Sequence, residues 1–270
     1  MRYSGIQPQY FPRLHYFARI LETDIYLIRD EVQYVKKHKY PDGRNDKSYQ
    51  SHTPIKQTFG RFLMSVPVKE RFRPIAETEL TGGLDWVRKH LKTLEISYGK
   101  APNFSLVFPS LQAILATSFP NLASLNIATI VWALTYLISG ENLNYWQDKD
   151  FNKLDKLLNK QKIFRLKSVK RSSELKEIEK MEKLSPNEKI VRLCRFLGAD
   201  EDYCGGTAYD AYMDRKIFQE NGIKVKVQNW VCREYPQLFP KLQFIPNLSI
   251  IDLVMNVSPE DAVKILKNSH

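Results

Sequence analysis

Two rhythms of apolar and polar positions alternate along the first thirty residues. RYSGI at the start is a short strand pattern, and DIYLIRD places Ile25, Leu27 and Ile28 in an apolar run bounded by acids. Between them, RLHYFARILE repeats Leu14, Phe17, Ile20 and Leu21 at helical spacing, with Pro12 ahead of it where a first-turn proline is tolerated. Strand, loop, helix and strand in that order predict a βαβ unit with parallel strands. Its first loop opens at the carboxyl edge of the sheet, where α/β folds bind ligands. That loop is IQPQYFPRLHYF, Ile6 to Phe17, a stiff corner with two prolines and a lone histidine.

Further along, EVQYVKKHKY alternates, PDGRNDKSYQSHTPIKQTFG is polar and turn-rich, and RFLMSVPVK returns as a strand, so residues 36–73 read as a hairpin or long flap. Helical periodicity appears at 84–97, 110–117, 122–138, 187–197, 208–220 and 259–267, with a strand at 223–230 and another helix opening at Ser249. Residues 142–189 are lysine-rich but balanced by acids at short spacing, which predicts a charged helical insertion or linker. The expected fold class is α/β: an N-terminal βαβ unit in a largely parallel, Rossmann-like sheet, with a helical C-terminal part, forming one domain over 1–270.

Length and composition agree with a folded chain, since 270 residues with 43% hydrophobic content bury a sizeable core. Leu122 to Ile138 is almost continuously apolar, yet it is shorter than the roughly 20 residues a bilayer asks for and carries Ser124, Asn126, Thr129 and Thr135. A buried core helix is expected there, and no membrane span. Cys194, Cys204 and Cys232 lie far apart without a CxxC pair, which excludes a disulfide framework and a zinc knuckle. With an N-terminus lacking the apolar core of a signal peptide, a reducing, cytoplasmic location is expected.

Charge changes the picture locally. The net charge is +11, and residues 36–73 hold ten basic residues against three acids. Such a flap suits an anionic partner, a sugar nucleotide, acyl adenylate or tRNA, or it serves only as a solvated face.

The segments IQPQYFPRLHYF, RDEVQY, the pair Arg44-Asn45, LMSVPVK and the late run DYCGGTAYDAYMD resemble the WbqC-like family in order and spacing. The match spans about Ile6 to Val257. Members of that family show a QPxYxPxxxYF corner, a D(D/E)VQY segment, an RN pair, a VPV strand and a late YxSGxxxxxYxD segment, and occur in polysaccharide and O-antigen biosynthesis clusters. The resemblance implies transfer of glycine or a similar aminoacyl group to a sugar. Ile6 stands where many members carry His, His15 where Gly is common, and Cys204 where Ser is common, so neither a histidine base before Gln7 nor a hydroxyl nucleophile at 204 is available.

On this reading Asp30 and Gln7 converge at the sheet edge: Asp30 activates an acceptor amine or hydroxyl, and Gln7 and Asn45 position it. Arg44 and Lys36 hold an anionic donor. Tyr10, Gln33, Tyr34, Gly205, Gly206, Tyr209 and Asp210 complete the candidate contacts. Plainer readings stand beside these: a cap for Asp30, surface exposure for Gln33, a turn for Gly205-Gly206, and helix packing for Tyr212. His15 invites a second chemistry, nucleotidyl or adenylyl transfer with ATP, although the HxGH pattern is absent and a packed histidine is the bland alternative. A third is a nucleic-acid module stacking bases on Tyr34, Tyr40, Tyr49 and Phe59. No cluster has transition-metal spacing and no metal site is expected, with magnesium held by Asp30 and substrate phosphates as the one alternative left open.

Overall fold

A computed structural model describes residues 1–39, 43, 45–69, 72–141, 150–206, 209–210 and 213–267. Five parallel strands form its central sheet in the order β7-β2-β1-β8-β9: β1 Arg2–Ile6, β2 Ile25–Ile28, β7 Ser168–Arg171, β8 Glu201–Cys204 and β9 Lys224–Val227. Helix α1, Leu14–Leu21, joins β1 to β2, so the expected βαβ unit is present.

Because side chains alternate across a strand, the two faces of β1 and β2 build different cores. Tyr26 and Ile28 face α1 and a large helical body: α2 Asp85–Tyr98, α3 Phe104–Leu115, α4 Leu122–Ser139, α8 Ile250–Asn256 and α9 Pro259–Leu266. Tyr3 and Leu27 face the smaller layer, with Val191, Leu193 and Cys194 of α6 (Pro186–Phe196) and Phe218 of α7 (Arg215–Glu220). Helix α5, Asp150–Lys160, packs against α4 and β7.

Helix α4 is long and apolar enough to cross a membrane, but 78% of it is buried inside the fold. Its polar residues explain the stiff corner. Asn126 donates its amide to the carbonyls of Pro8 and Gln50, at 3.1 and 2.7 Å, and Thr129 accepts from the Phe11 N–H at 3.2 Å. Phe11 sits at φ 39°, a left-handed conformation unfavourable for a bulky residue, and its carbonyl accepts from Thr53 and Ser249 hydroxyls. Partners on three elements hold a turn that the local sequence alone would not prefer.

The flap is two antiparallel ladders, β3 Lys37–Lys39 with β4 Asn45–Lys47 and β5 His52–Gln57 with β6 Gly60–Ser65. The second is docked, since Ile55, Met64 and even Lys56 are buried and the Ser249 N–H donates to the Pro54 carbonyl at 2.8 Å.

Three expectations need correction. Residues 142–189 are more than an appended insertion: they supply edge strand β7 and residues of the site described below, which their charge balance concealed. Helix α3 starts at Phe104 rather than Ser110, with Pro109 accommodated inside it at the expense of one backbone bond. The helix expected over 208–220 is interrupted, since Asp214 is extended and caps α7 through the Lys216 N–H at 3.0 Å.

Candidate functional site

The chain leaves β1 toward α1 on one face and β8 toward α7 on the other, so these neighbouring parallel strands form the reversal point at which α/β sheets open a crevice beyond their carboxyl ends. Their ladder holds Arg2↔Glu201 and Tyr3↔Asp202; further on, the Ser4 hydroxyl donates to the Tyr203 carbonyl at 2.7 Å. A cavity of about 670 Å³ lies at this place. Gly5 of β1 and Gln7 after it, Arg29, Glu31 and Gln33 after β2, and Asp202, Cys204 and Gly205 of β8 and its loop form its polar side. Ile178, Met181, Ile190, Leu193 and Met213 form the apolar side.

Asp202 is the central group. It pairs with Tyr3 in register and shares that face of the sheet, under α6. Only 4% exposed, its carboxyl is pushed by burial up to about 7, while the guanidinium groups of Arg19 and Arg29 pull the other way. No hydrogen bond reaches that carboxyl from the described residues, so desolvation outweighs the two cations. Burial also pushes the Cys204 thiol up to about 12, with the Asp202 charge adding to it, which keeps the sulfur protonated. Arg29 is neutralised locally by Glu31 at 2.5 Å.

Arg19 reaches the crevice from the last turn of α1. Its Nε donates to Gln228 Oε1 at 2.9 Å, and the Gln228 amide donates to the His15 carbonyl at 2.9 Å, so the segment after β9 orients the guanidinium. Gly205 is the contact surface: a Cβ there would overlap the guanidinium, with Cζ only 3.0 Å away.

Of the residues the sequence singles out, Gln7, Gln33 and Gly205 line the crevice. Gln7 Oε1 accepts from the Gln50 amide at 2.6 Å, and Gln50 Oε1 in turn accepts from the Val35 N–H at 2.9 Å. This chain fixes the Gln7 side chain from the flap side. Gly206 lies near Val227, Tyr209 stacks under the Arg215 guanidinium at 4.4 Å, and Asp210 is exposed.

Asp30 is placed elsewhere. Fully buried beside β7, its carboxylate accepts from Arg171 at 3.0 and 3.1 Å, from the Ser172 and Ser173 hydroxyls at 3.0 and 2.8 Å, and from the Ser173 N–H at 3.0 Å. Its lone pairs are committed within the fold, and it neither lines the crevice nor meets Gln7. The same contacts leave no free lone pair on Asp30 for the magnesium alternative. Tyr10 is likewise internal, donating to His90 Nδ1 at 2.9 Å.

His15 does not face the crevice either. Its backbone N–H donates to Asn247 Oδ1 at 3.0 Å, and its Nδ1 lies 3.0 Å from the same oxygen. Burial and the cations of Arg13 and Arg19 lower it to about 3, so the ring stays neutral. Tyr34 and Tyr49 are buried and offer no stacking surface, although Phe59 is exposed. Lys36 is exposed, while Arg44, Tyr40 and Tyr212 lie outside the described residues, as does the Asn45 side chain.

The residues that sequence reasoning missed are Asp202, Arg19, Arg29 and Tyr3. EDYC is a four-residue strand with two acids and no apolar alternation, so its place beside β1 left no local signal. The one available hint was an acid two residues before the Cys-Gly-Gly run.

Sheet and crossover together define an α/β protein with a polar crevice at the carboxyl edge of its parallel strands. The chain belongs to the WbqC-like protein family, whose pattern matches residues 7–159 and 161–264. It is also 29% identical over 260 residues to the uncharacterized protein Rv1507c of Mycobacterium tuberculosis, covering 94% of this chain and 93% of that one. No solved structure matches it significantly.

Proposed function

We propose that this protein is a transferase that moves an acyl or aminoacyl group, with glycine as one candidate, onto an amino or hydroxyl group of a sugar or related small molecule. The crevice between β1 and β8 is its reaction site in this reading. The observation that carries it is Asp202, a buried carboxyl near neutrality that faces a polar cavity at the sheet crossover. A proton acceptor works best with a pKa close to the ambient pH, and few structural carboxyls have one.

In this reading Asp202 takes the proton released as the acceptor nitrogen or oxygen bonds to the acyl carbon, while the donor's leaving group departs with its electron pair. Gln7, held by Gln50, orients the acceptor. Lys189 on α6, which also lines the cavity, stabilises the developing oxyanion. An activated donor such as an acyl adenylate, a sugar-nucleotide acceptor, or aminoacyl-tRNA suits the basic surroundings, and the cytoplasm is where such donors are made.

The test incubates the purified protein with amino acids plus ATP and magnesium, acyl adenylates or aminoacyl-tRNA, each with amino-sugar nucleotides, and reads product masses. The expected product is an acceptor heavier by one acyl group, formed by the wild type and not by Asp202→Asn. Wild-type turnover by that variant would remove the proposed base.

A further inference from the structure

Two glycines stand at the mouth of the crevice: Gly5 within the last residues of β1, and Gly205 directly after β8. Each is overlain by a polar side chain. A Cβ at Gly5 would overlap the Tyr3 hydroxyl, with Tyr3 Cζ at 2.8 Å; a Cβ at Gly205 would overlap the Arg19 guanidinium. Tyr3 is 1% exposed and lines the cavity, and its hydroxyl lies beside the Arg29 guanidinium, which is already engaged by Glu31, without making a hydrogen bond of good geometry among the described residues. A buried hydroxyl left in that state is costly in a native fold unless something outside the chain meets it.

The charges point the same way. Around Asp202 stand Tyr3 of β1, Arg29 and Glu31 after β2, Arg19 of α1, Lys189 and Cys194 of α6, and Cys204 of its own strand. Arg29 is paired with Glu31, whereas Arg19 uses one nitrogen on the neutral Gln228 and makes no ion pair among the described residues. A guanidinium in this setting is stabilised by a planar or tetrahedral oxyanion that takes two donors at once.

We infer that Arg19 and the Tyr3 hydroxyl form the seat for an oxyanion group of the ligand, a phosphate or a carboxylate, with Gly5 and Gly205 providing the space and Gln228 setting the guanidinium. This rests on the crevice being the functional site and is independent of which reaction occurs there. It moves the donor's anion from the flap, where Lys36 and Arg44 were expected to hold it, to the sheet edge.

The test is binding of inorganic phosphate, pyrophosphate and acetate by calorimetry and thermal shift, with sodium chloride at matched ionic strength as the reference. Saturable binding of one anion class by the wild type is expected, and the phosphate and acetate arms identify which. Arg19→Gln and Tyr3→Phe should each weaken it by about tenfold or more, the usual effect of losing a hydrogen bond to a charged group. Tyr3→Phe removes an unsatisfied hydroxyl and should melt no lower than the wild type, so loss of binding there is not unfolding. Equal affinity in wild type and both variants, or no saturable effect beyond chloride, would overturn the seat. Because no turnover is read, failure to find a transfer reaction leaves this result standing, and Asp202→Asn should retain anion binding even where it abolishes transfer.

Discussion

The Arg19 guanidinium covers the bare Cα of Gly205, bringing the last turn of α1 into contact with the loop after β8. Only glycine at 205 permits this approach. Gly205→Ala should therefore displace the far end of one flexible side chain and leave the sheet intact, costing about 1 kcal/mol or less. Denaturant unfolding checks the stability, and the same variant should lose ligand-induced stabilisation of the wild-type kind.

Asp202 makes a pH signature. Its folded pKa, about 7, lies above the usual carboxylate value of 3.8, so the native state binds the proton more tightly than the unfolded chain. The corresponding stability is present below about pH 4 and is lost as pH rises through 7. Asp202→Asn removes that loss. The variant should match the wild type near pH 4 and exceed it by about 2–4 kcal/mol at pH 8, at roughly 1.4 kcal/mol per unit. Urea titrations at pH 4, 6 and 8 would show whether the gap widens with pH.

His90 has the opposite sign. Buried between the Tyr10 hydroxyl at Nδ1 and the Ser65 carbonyl at Nε2, it is lowered by burial from 6.5 to about 4. The unfolded chain binds the proton first, so stability is lost as pH falls from 6.5 toward 4, by at most about 3 kcal/mol. In the wild type this slope is masked by Asp202 over the same window. It should emerge in the Asp202→Asn background, and shrink without vanishing when His90→Phe is added, because the buried His15 ring, lowered to about 3, contributes with the same sign.

Asp30 and Asp202 should separate by mutation. Asp30→Ala leaves the Arg171 guanidinium and the Ser172–Ser173 turn without their shared acceptor. Removing one partner of a buried ion pair costs about 3–5 kcal/mol, and hydrogen exchange should locate the loosening in β7. A fully stable Asp30→Ala protein would contradict the geometry described for that carboxylate.

Several features were legible in the chain because they depend on neighbours in sequence. The periods of β1, α1 and β2 specify parallel strands with a corner opening at the sheet edge, and the length and polar spacing of 122–138 specify a core helix. The WbqC-like motifs were also legible, and of the residues they single out Gln7, Gln33 and Gly205 line one cavity. Asp30 looked equally suitable, since the end of β2 points toward that edge; what the sequence did not contain was the distance to Arg171, Ser172 and Ser173, which arrive from a segment that reads as an insertion.

The sequence by itself thus determined β1, α1, β2 and the core helix at 122–138, because backbone period and turn chemistry are local properties, while the short strands β7 and β8 carried no such period. Only tertiary structure decided which strand lies beside β1. That adjacency places Asp202 against Tyr3, removes its carboxyl from water, and sets Arg19 over Gly205, and each effect depends on burial by residues distant in the chain.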